Sequence, residues 1–245
     1  MLLLATDLDG TFLEGRDEHK KEIYDILSVN NDICLVYVTG RGLKTVIPLF
    51  DDMLFPVPDY IICDVGATIV HGRTYHSIEP IQEGIEIKWP GTEFIREKLS
   101  GVKGLKYQEV PMERRCSFFY NSTTDFESLY AIINTMEVGI IRSAGKYVDI
   151  LPKGVNKGNT LKELVRLLKF PIENIMVAGD TLNDLSLFET GFKGVVVGGA
   201  EEELLKLIRG RQNIYTANQK GIGGILEAFG NFSEFRHYVE DYFEF

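Results

Sequence analysis

Short apolar segments alternate with amphipathic segments along most of this chain, and this alternation constrains its fold more than any other feature. Five runs have the length and composition of buried strands, at residues 2–6, 33–38, 60–63, 175–178 and 194–197. Helical spacing of apolar residues marks the segments 17–30, 42–50, 158–169 and 183–189. Buried strands that alternate with helices are typical of a parallel sheet covered on both faces. We therefore predict an α/β protein with a doubly wound, Rossmann-like parallel sheet.

The segment 83–151 interrupts this alternation. It contains predicted strands at 116–121, 138–142 and 147–151, and a predicted helix at 125–136. Elements grouped in this way indicate an α+β unit that is inserted into the chain and folded over the ends of the parallel strands. We predict a core domain formed by residues 1–82 and 152–245, and a cap domain formed by residues 83–151.

Charge and composition limit the partners of this chain. Its 245 residues include 26 Lys and Arg against 36 Asp and Glu, a formal net charge of −10. Nucleic-acid binding draws on clustered positive charge and is disfavoured, whereas an anionic small molecule needs only local positive charge. No apolar stretch approaches the roughly 20 residues of a membrane span, and Met1 leads into an apolar strand without signal-peptide features, so the expected setting is the cytoplasm. The aromatic segment 242–245 fits a packed chain end or a subunit contact, which leaves a homodimer open.

Asp7 and Asp9 form the first of four polar clusters, where the first strand gives way to Gly10 and Thr11. Alternate residues of a strand share a face, so the two carboxylates are expected to face the same space. One carboxylate can attack phosphorus as a nucleophile, and the other can protonate the leaving oxygen and later accept a proton from water. The alternative is a simple strand-to-turn signal, because Asp and Gly are common in turns.

Two further clusters suit a phosphate group. Thr39, Gly40 and Arg41 follow the second strand and offer a hydroxyl and exposed backbone N–H groups. Lys157, just before a predicted helix, offers a positive charge for a phosphoryl group. Each cluster also has a plainer interpretation, since Thr and Gly are common in loops and a lysine at a helix start is usually solvated.

The fourth cluster begins at Asp180, which ends a later strand and is followed by Asn183 and Asp184. Carboxylate oxygens are the ligands that Mg²⁺ prefers, and a phosphate dianion needs such a cation beside it. Alternatively, Asp180 caps a helix and Asp184 interacts favourably with the helix dipole. Because ligand sites of parallel sheets lie beyond the carboxyl ends of the strands, we expect the clusters to converge there.

These residues resemble the four ordered motifs of haloacid-dehalogenase-like (HAD) phosphatases. The motifs are Asp7-Leu8-Asp9-Gly10-Thr11, Thr39-Gly40-Arg41, Lys157, and Gly179-Asp180 with Asn183-Asp184. The place of the insert, after the third strand and before the motif lysine, resembles the C2-type cap of that superfamily. The segments 143–152, 156–159, 187–190 and 221–226 are similar to its sucrose-phosphatase-like branch, whereas the last motif is shared with broader, Cof-like sugar-phosphate phosphatases. Gly10 is a departure, since sucrose phosphatases typically carry Asn there.

The resemblance implies Mg²⁺-dependent hydrolysis of a phosphomonoester through a phosphorylated aspartate. The implied substrate is a sugar phosphate, such as sucrose 6-phosphate or a related glycoside phosphate. The implied catalytic residues are Asp7 as nucleophile and Asp9 as general acid and base. The implied metal residues are Asp7, Asp9 through its carbonyl, Asp180 and Asp184, and the implied phosphate-binding residues are Thr39, Gly40, Lys157 and Asn183. The cap is expected to close over the site and to carry specificity.

The residues that contact the sugar are harder to predict. Arg41, Lys146 and Asp149 are the candidates for substrate contact. Arg115 and Arg142 either face the site as well or lie on a solvated face of the cap sheet.

Three other activities fit part of this pattern. A phosphosugar mutase would use the same aspartyl-phosphate chemistry but return the phosphoryl group to a sugar. A phosphoacceptor sensor without turnover would need the acidic Mg²⁺ cluster but neither a cap nor Asp9. A dehalogenase would attack carbon with Asp7 and would need neither Asp9 nor Asp180.

Overall fold

The computed structural model describes residues 1–110 and 114–240. Eleven strands lie in these ranges: β1 Leu2–Thr6, β2 Ile33–Val38, β3 Tyr60–Cys63, β4 Thr68–His71, β5 Lys106–Gln108, β6 Cys116–Phe119, β7 Val138–Ser143, β8 Tyr147–Pro152, β9 Ile175–Gly179, β10 Lys193–Gly198 and β11 Ile214–Lys220. Seven of them form one sheet in the order β11-β10-β9-β1-β2-β3-β4. Neighbours in this sheet pair in parallel, except for β3 and β4. The predicted α/β class with a parallel sheet is confirmed.

Nine α-helices lie in the same ranges: α1 Asp17–Val29, α2 Leu43–Val46, α3 Ile81–Glu86, α4 Thr92–Leu99, α5 Phe126–Ile133, α6 Lys157–Leu168, α7 Leu185–Phe188, α8 Glu202–Ile208 and α9 Ile222–Asn231. The helix predicted over 42–50 divides into α2 and a 3₁₀ turn over Ile47–Asp51. The cause is Pro48, which has no backbone N–H to donate. Strand β11 was not predicted, because it is polar and only partly buried and an edge strand needs no apolar run.

Strand β1 shows why its sequence is apolar without alternation. Leu2 and Leu4 pack on one side of the sheet in a cluster that includes Ile225 of α9. Leu3 packs on the other side with Leu161 of α6. Because both faces of this central strand are covered, every residue in it is buried.

Strands β5 to β8 form a second, antiparallel sheet in the order β5-β6-β8-β7, called the cap sheet below. One of its faces packs with α4 and α5 in a separate cluster that includes Ile95, Phe118, Leu129 and Ile150. These elements have the α+β character predicted for the insert. The domain boundaries at 82/83 and 151/152 stay predictions.

No helix of the described ranges has both the length and the apolarity to cross a membrane. The aromatic segment 242–245 lies outside the described residues. The predicted chain-end packing or subunit contact, and with it the homodimer, therefore stays a prediction.

Candidate active site

The predicted polar clusters meet at one edge of the central sheet. Strands β1, β2 and β9 are adjacent and parallel, so their carboxyl ends lie side by side. Asp7 follows β1, Thr39 follows β2 and Asp180 follows β9. Lys157, the first residue of α6, reaches the same place through its side chain. The expected convergence beyond the carboxyl ends of the strands is therefore present.

Asp7, Lys157 and Asp184 form a buried ion triad at the centre of this edge. Lys157 Nζ donates to Asp7 Oδ1 and to Asp184 Oδ1, each at 2.6 Å. Lys157 and Asp184 are fully buried, and Asp7 is 4% exposed. Burial acts to lower the pKa of Lys157, but the charges of Asp184 and Asp7 outweigh it and hold that pKa above its ordinary value. The lysine therefore stays charged, and its interpretation as a solvated helix-start residue is wrong.

Asp184 also shapes the turn that follows β9. Its Oδ2 accepts from the backbone N–H groups of Asp180 and Thr181, each at 3.0 Å. Thr181 and Asp184 form a capping box around the 3₁₀ turn Leu182–Asp184. The cap residue is thus Thr181, and the alternative in which Asp180 caps the helix is wrong.

Asp180 lies against the turn that follows β1. Thr11 Oγ1 donates to Asp180 Oδ1 at 2.9 Å. Gly10 has a φ of +81°, and a Cβ on it would overlap Asp180 Oδ2, so this close approach requires glycine. Burial, followed by the charge of Asp184, raises the pKa of Asp180 to about 7.

The acidic group made by Asp7, Asp180 and Asp184 suits a metal ion. Each carboxylate offers one oxygen, and the three oxygens lie within 4.8 Å of one another. Lys157 contacts two of these three carboxylates. Its single positive charge does not balance three carboxylates, so a second cation is needed to offset the remaining negative charge. An all-oxygen donor set is what Mg²⁺ prefers.

Asp7 and Asp9 both lie beyond the end of β1, so the expected shared strand face is absent, although the charges of both act on Arg41. Strand β1 ends at Thr6, and Asp9 lies in the turn Leu8–Phe12. Arg41 donates to both oxygens of Asp9, from Nε at 2.8 Å and from Nη2 at 2.6 Å. The side chain of Asp9 is 59% exposed, against 6% for Asp7. The two carboxylates therefore have different environments, one buried beside lysine and one open to solvent beside arginine.

The remaining predicted phosphate-binding residues lie next to one another. Thr39 is fully buried, and its Oγ1 accepts from the N–H of Arg41 at 3.1 Å. A Cβ on Gly40 would lie 3.5 Å from Asn183 Nδ2, so the turns after β2 and β9 are in contact. Asn183 Oδ1 accepts from Thr181 Oγ1 at 3.0 Å, which leaves its amide nitrogen directed towards Gly40.

Asp149 belongs to a polar cluster on the face of the cap sheet that looks onto the core. Ser117 Oγ donates to Asp149 Oδ1 at 2.6 Å, and Arg115 Nη1 lies 3.5 Å from the same oxygen. Arg115 Nη2 also lies 4.0 Å from Oδ1 of Asp64, which directly follows β3. Burial raises the pKa of Asp64 to about 6, although Arg115 opposes this shift. Ser117 and Asp64 were not predicted, because no local pattern separates them from ordinary polar residues.

Lys146 and Arg142 lie away from this cluster. Lys146 is in the turn between β7 and β8, with its ammonium 4.8 Å from the ring centroid of Tyr147. The Arg142 guanidinium lies 5.0 Å from the ring centroid of Phe126 in α5. Arg142 is therefore on the helix-covered face of the cap sheet, whereas Arg115 is on the core-facing side.

A cavity of about 710 Å³ opens at the opposite edge of the central sheet. Its lining includes Ile33 and Tyr60, which begin β2 and β3, and His71, which ends the antiparallel strand β4. Among the described residues, none of the predicted catalytic, metal or phosphate-binding residues lines it. The predicted catalytic and metal-binding acids and the buried Lys157 thus lie at the carboxyl edge and not at this cavity.

Known proteins share the sequence and the fold of this chain. A glucosylglycerol-phosphate synthase from Pseudomonas anguilliseptica is 43% identical to it across 94% of this chain and 31% of that protein. A probable sucrose-phosphatase 2 from Arabidopsis thaliana is 30% identical across 94% of this chain and 59% of that protein. The chain thus spans about a third and about three fifths of the length of these two relatives.

The structural comparison agrees with the sequence comparison. The X-ray structure of the sucrose-phosphatase from Synechocystis sp. PCC6803, in complex with sucrose and phosphate, matches with a TM-score of 0.83 and 28% identity. The match covers 94% of this chain and 97% of that one. Residues 1–233 match the family described as sucrose-6F-phosphate phosphohydrolase. The predicted resemblance is confirmed, and the chain belongs to the sucrose-6F-phosphate phosphohydrolase family.

Proposed function

We propose that this chain hydrolyses a phosphorylated glycoside in a Mg²⁺-dependent reaction, with Asp7 as the nucleophile. The buried triad carries the proposal, because Lys157 holds Asp7 and Asp184 beside Asp180 at the carboxyl edge of the sheet. Phosphoryl transfer asks mainly for positioning and for neutralisation of oxygen charge, and this arrangement suits both. The family match over residues 1–233 supports the same reaction.

We assign Asp7 and Asp180 to Mg²⁺, together with the backbone carbonyl of Asp9 that the HAD resemblance implies. Asp184 is less suited to direct contact, since its Oδ1 accepts from Lys157 and its Oδ2 from two backbone N–H groups. We therefore give Asp184 the role of holding Lys157 and the turn that carries Asp180. When bound, Mg²⁺ supplies neutralisation of the phosphoryl oxygens.

In the first half of the reaction, Asp7 attacks phosphorus and the bond to the leaving sugar oxygen breaks. Burial raises the pKa of Asp7, the charge of Lys157 opposes that shift, and the hydrogen bond from Lys157 fixes the carboxylate. Thr39 and the N–H of Gly40 are the donors that we assign to the phosphoryl oxygens, with Asn183 beside them. Asp9 protonates the departing oxygen.

In the second half, Asp9 accepts a proton from water as the water oxygen attacks phosphorus and the bond to Asp7 breaks. The two hydrogen bonds from Arg41 hold the Asp9 carboxylate in place for this step. For the first half, Asp9 must leave Arg41 and carry a proton. The pair is partly exposed, so breaking it costs less than breaking a buried pair.

The substrate class that we propose is a phosphorylated glucoside. Both the sucrose-6F-phosphate phosphohydrolase family and the glucosylglycerol-phosphate synthase relative are named for such compounds. Sugar hydroxyls need polar partners, and the core-facing side of the cap sheet carries Ser117, Asp149 and Arg115. A site built to hydrogen-bond hydroxyls rejects analogues that lack them. Arg41 and Lys146 stay predicted substrate contacts.

Phosphate release from a panel of esters, with Mg²⁺ or with EDTA, tests the proposal. The panel holds sucrose 6-phosphate, glucosylglycerol phosphate, hexose phosphates and p-nitrophenyl phosphate. We expect release to be concentrated on one phosphorylated glucoside and to disappear with EDTA, because the acidic group then lacks its cation. Broad, weak release would remove the glucoside assignment. An isomeric sugar phosphate without free phosphate would favour the mutase, and a lasting phosphoprotein without release would favour the sensor.

Replacing Asp9 by Asn tests the general acid. We expect turnover of the glycoside phosphate to fall by about 10²–10⁴-fold, because the leaving alkoxide then departs without a proton. Hydrolysis of p-nitrophenyl phosphate should fall less, since its leaving group is stable as an anion. The exposed Asp51→Asn serves as the matched control and should change neither rate. Equal losses on both esters would count against this role of Asp9.

A further inference from the structure

Glu201 joins the cap sheet to the core through a single carboxylate. Its Oε1 accepts from the backbone N–H of Ala144 at 3.0 Å, in the turn between β7 and β8. Its Oε2 accepts from the backbone N–H of Leu182 at 2.8 Å, in the turn that carries Asp180. One side chain thus connects the tip of the β7–β8 hairpin to the turn that shapes the acidic group.

This contact lies far from the place where the cap sheet joins the core. Strand β8 runs from Tyr147, beside the hairpin tip, to Pro152, where the chain returns towards α6. Its six residues span about 20 Å at 3.3 Å per residue. Near Pro152, a small apolar cluster includes Val65 and Leu151 and joins the two parts. A movement of the cap about this connection displaces the hairpin tip the most, so it must break the bond between Glu201 and Ala144.

The tip of the β7–β8 hairpin is a tight turn. Because its residues are held together, one hydrogen bond to the turn is enough to fix the position of the tip. Ala144 and Gly145 have φ values of +50° and +59°, and the N–H of Lys146 donates to the carbonyl of Ser143 at 3.2 Å. Two central residues with positive φ are typical of a type I′ turn. A positive φ is unfavourable for alanine. The hydrogen bond from the Ala144 N–H to Glu201 therefore helps to stabilise this turn.

The Glu201 side chain is not engaged at the start of its own helix. Glu201 is the N-cap residue of α8, yet it makes no side-chain capping hydrogen bond, and the position usually favours Ser, Thr, Asp or Asn. Its backbone N–H donates to the carbonyl of Asp180 at 2.9 Å. Glu201 is half-buried, whereas the adjacent Glu202 and Glu203 are exposed. Its backbone is thus fixed beside Asp180, and its carboxylate is free to span both turns.

We propose that Glu201 is a positioning residue that couples closure of the β7–β8 hairpin to the placement of the turn at 180–184. The inference rests on the proposed phosphatase function, in which that turn carries Asp180 and Asp184. When the hairpin closes, the Ala144 N–H takes one oxygen of Glu201, and the other oxygen holds Leu182. A substrate that binds between the cap sheet and the core therefore meets an aligned turn only when the tip is closed.

Glu201→Gln removes the charge and leaves one accepting oxygen for two N–H donors. With Mg²⁺ present, we expect kcat/KM for the glycoside phosphate to fall about tenfold, the size expected from one lost hydrogen bond to a charged group. The loss should appear mainly in KM, because saturating substrate restores closure. Hydrolysis of p-nitrophenyl phosphate, which offers no sugar to the cap, should fall less, because it depends on the placement of the turn but not on closure over a sugar. Glu201→Asp, one methylene shorter, should behave like Glu201→Gln, and Glu202→Gln is the matched control that should behave like wild type.

Hydrogen exchange supplies a readout that does not depend on activity. The amides of Ala144 and Leu182 should exchange faster in Glu201→Gln, and those of α8 should keep their wild-type rates. Faster exchange in α8 alone would reveal a helix-start role and overturn the proposal. Unchanged exchange at Ala144 and Leu182, or equal losses on both esters, would overturn it too. If the wild-type protein released no phosphate from any ester, the proposed function would fail, while the exchange at Ala144 and Leu182 would still decide the coupling.

Discussion

Asp7→Asn is expected to abolish turnover while the protein remains folded. An amide has nearly the shape of a carboxylate but is a very poor nucleophile, so the phosphorylated intermediate cannot form. We expect kcat/KM with Mg²⁺ to fall by at least about 10⁴-fold, the scale on which loss of a nucleophile reduces catalysis. Phosphate release is the first measurement. Mass spectrometry after an acid quench is the second, and it should show a phosphoryl adduct on the wild type but not on the variant.

The fold should survive this change because Lys157 keeps its partner Asp184 at 2.6 Å. Urea unfolding checks this expectation. Asp25→Asn, on the exposed face of α1, is the matched control and should keep full activity. Activity of the Asp7 variant above about a hundredth of wild type would refute the nucleophile assignment. A phosphoryl adduct that persists on the variant would place the intermediate on another residue.

Lys157→Met is expected to reduce both activity and stability. Its ammonium contacts Asp7 and Asp184, and both it and Asp184 are fully buried. Removing one partner of a buried ion pair costs about 3–5 kcal/mol, because it leaves uncompensated buried charge. Urea unfolding in EDTA should show a loss of this size. Phosphate release should fall by at least about 10³-fold, because the phosphoryl group and Asp7 both lose their fixed cation.

An exposed lysine provides the control for this effect. Lys153 Nζ lies 2.8 Å from Glu137 Oε2, with both side chains more than half exposed, so Lys153→Met should cost less than about 1 kcal/mol. The Lys157 variant should also become more stable as pH falls. Burial raises the pKa of Asp7 and Lys157 opposes that shift. Without Lys157, Asp7 binds a proton more readily in the folded than in the unfolded chain, so the free energy of unfolding decreases with rising pH. A loss below about 1 kcal/mol for Lys157→Met would contradict the buried triad.

Much of the core could be predicted because the evidence for it is local. An apolar run without alternation implies a strand covered on both faces, and β1, β2, β3 and β9 lie where such runs occur. The same edge then receives Asp7, Thr39 and Asp180, since the carboxyl ends of adjacent parallel strands meet. Edge strands such as β11 were harder to predict, because a partly exposed strand needs no apolar pattern.

The roles of single side chains were harder to predict from the sequence. Asp9 was expected to share a strand face with Asp7, but β1 ends at Thr6 and Asp9 lies in the following turn, where it pairs with Arg41. Where a strand ends is the least certain part of a sequence-based prediction. Side chains alternate between two faces only inside a strand, and both aspartates lie beyond the end of β1. The substrate candidates also lie apart, because Asp149 is inside β8 and faces the core whereas Lys146 is in the turn before that strand.

The sequence by itself determined the α/β class, the order of the four polar clusters and the edge of the sheet where they meet. These properties follow from hydrophobic periodicity and from the geometry of parallel strands, which both act over a few residues. Only the tertiary structure decided that Lys157 is buried between Asp7, 150 positions away, and Asp184. It also decided that Glu201 reaches Ala144, 57 positions away. Such contacts depend on how distant segments pack, and a lysine or glutamate at a helix start has the same local sequence whether it is solvated or enclosed.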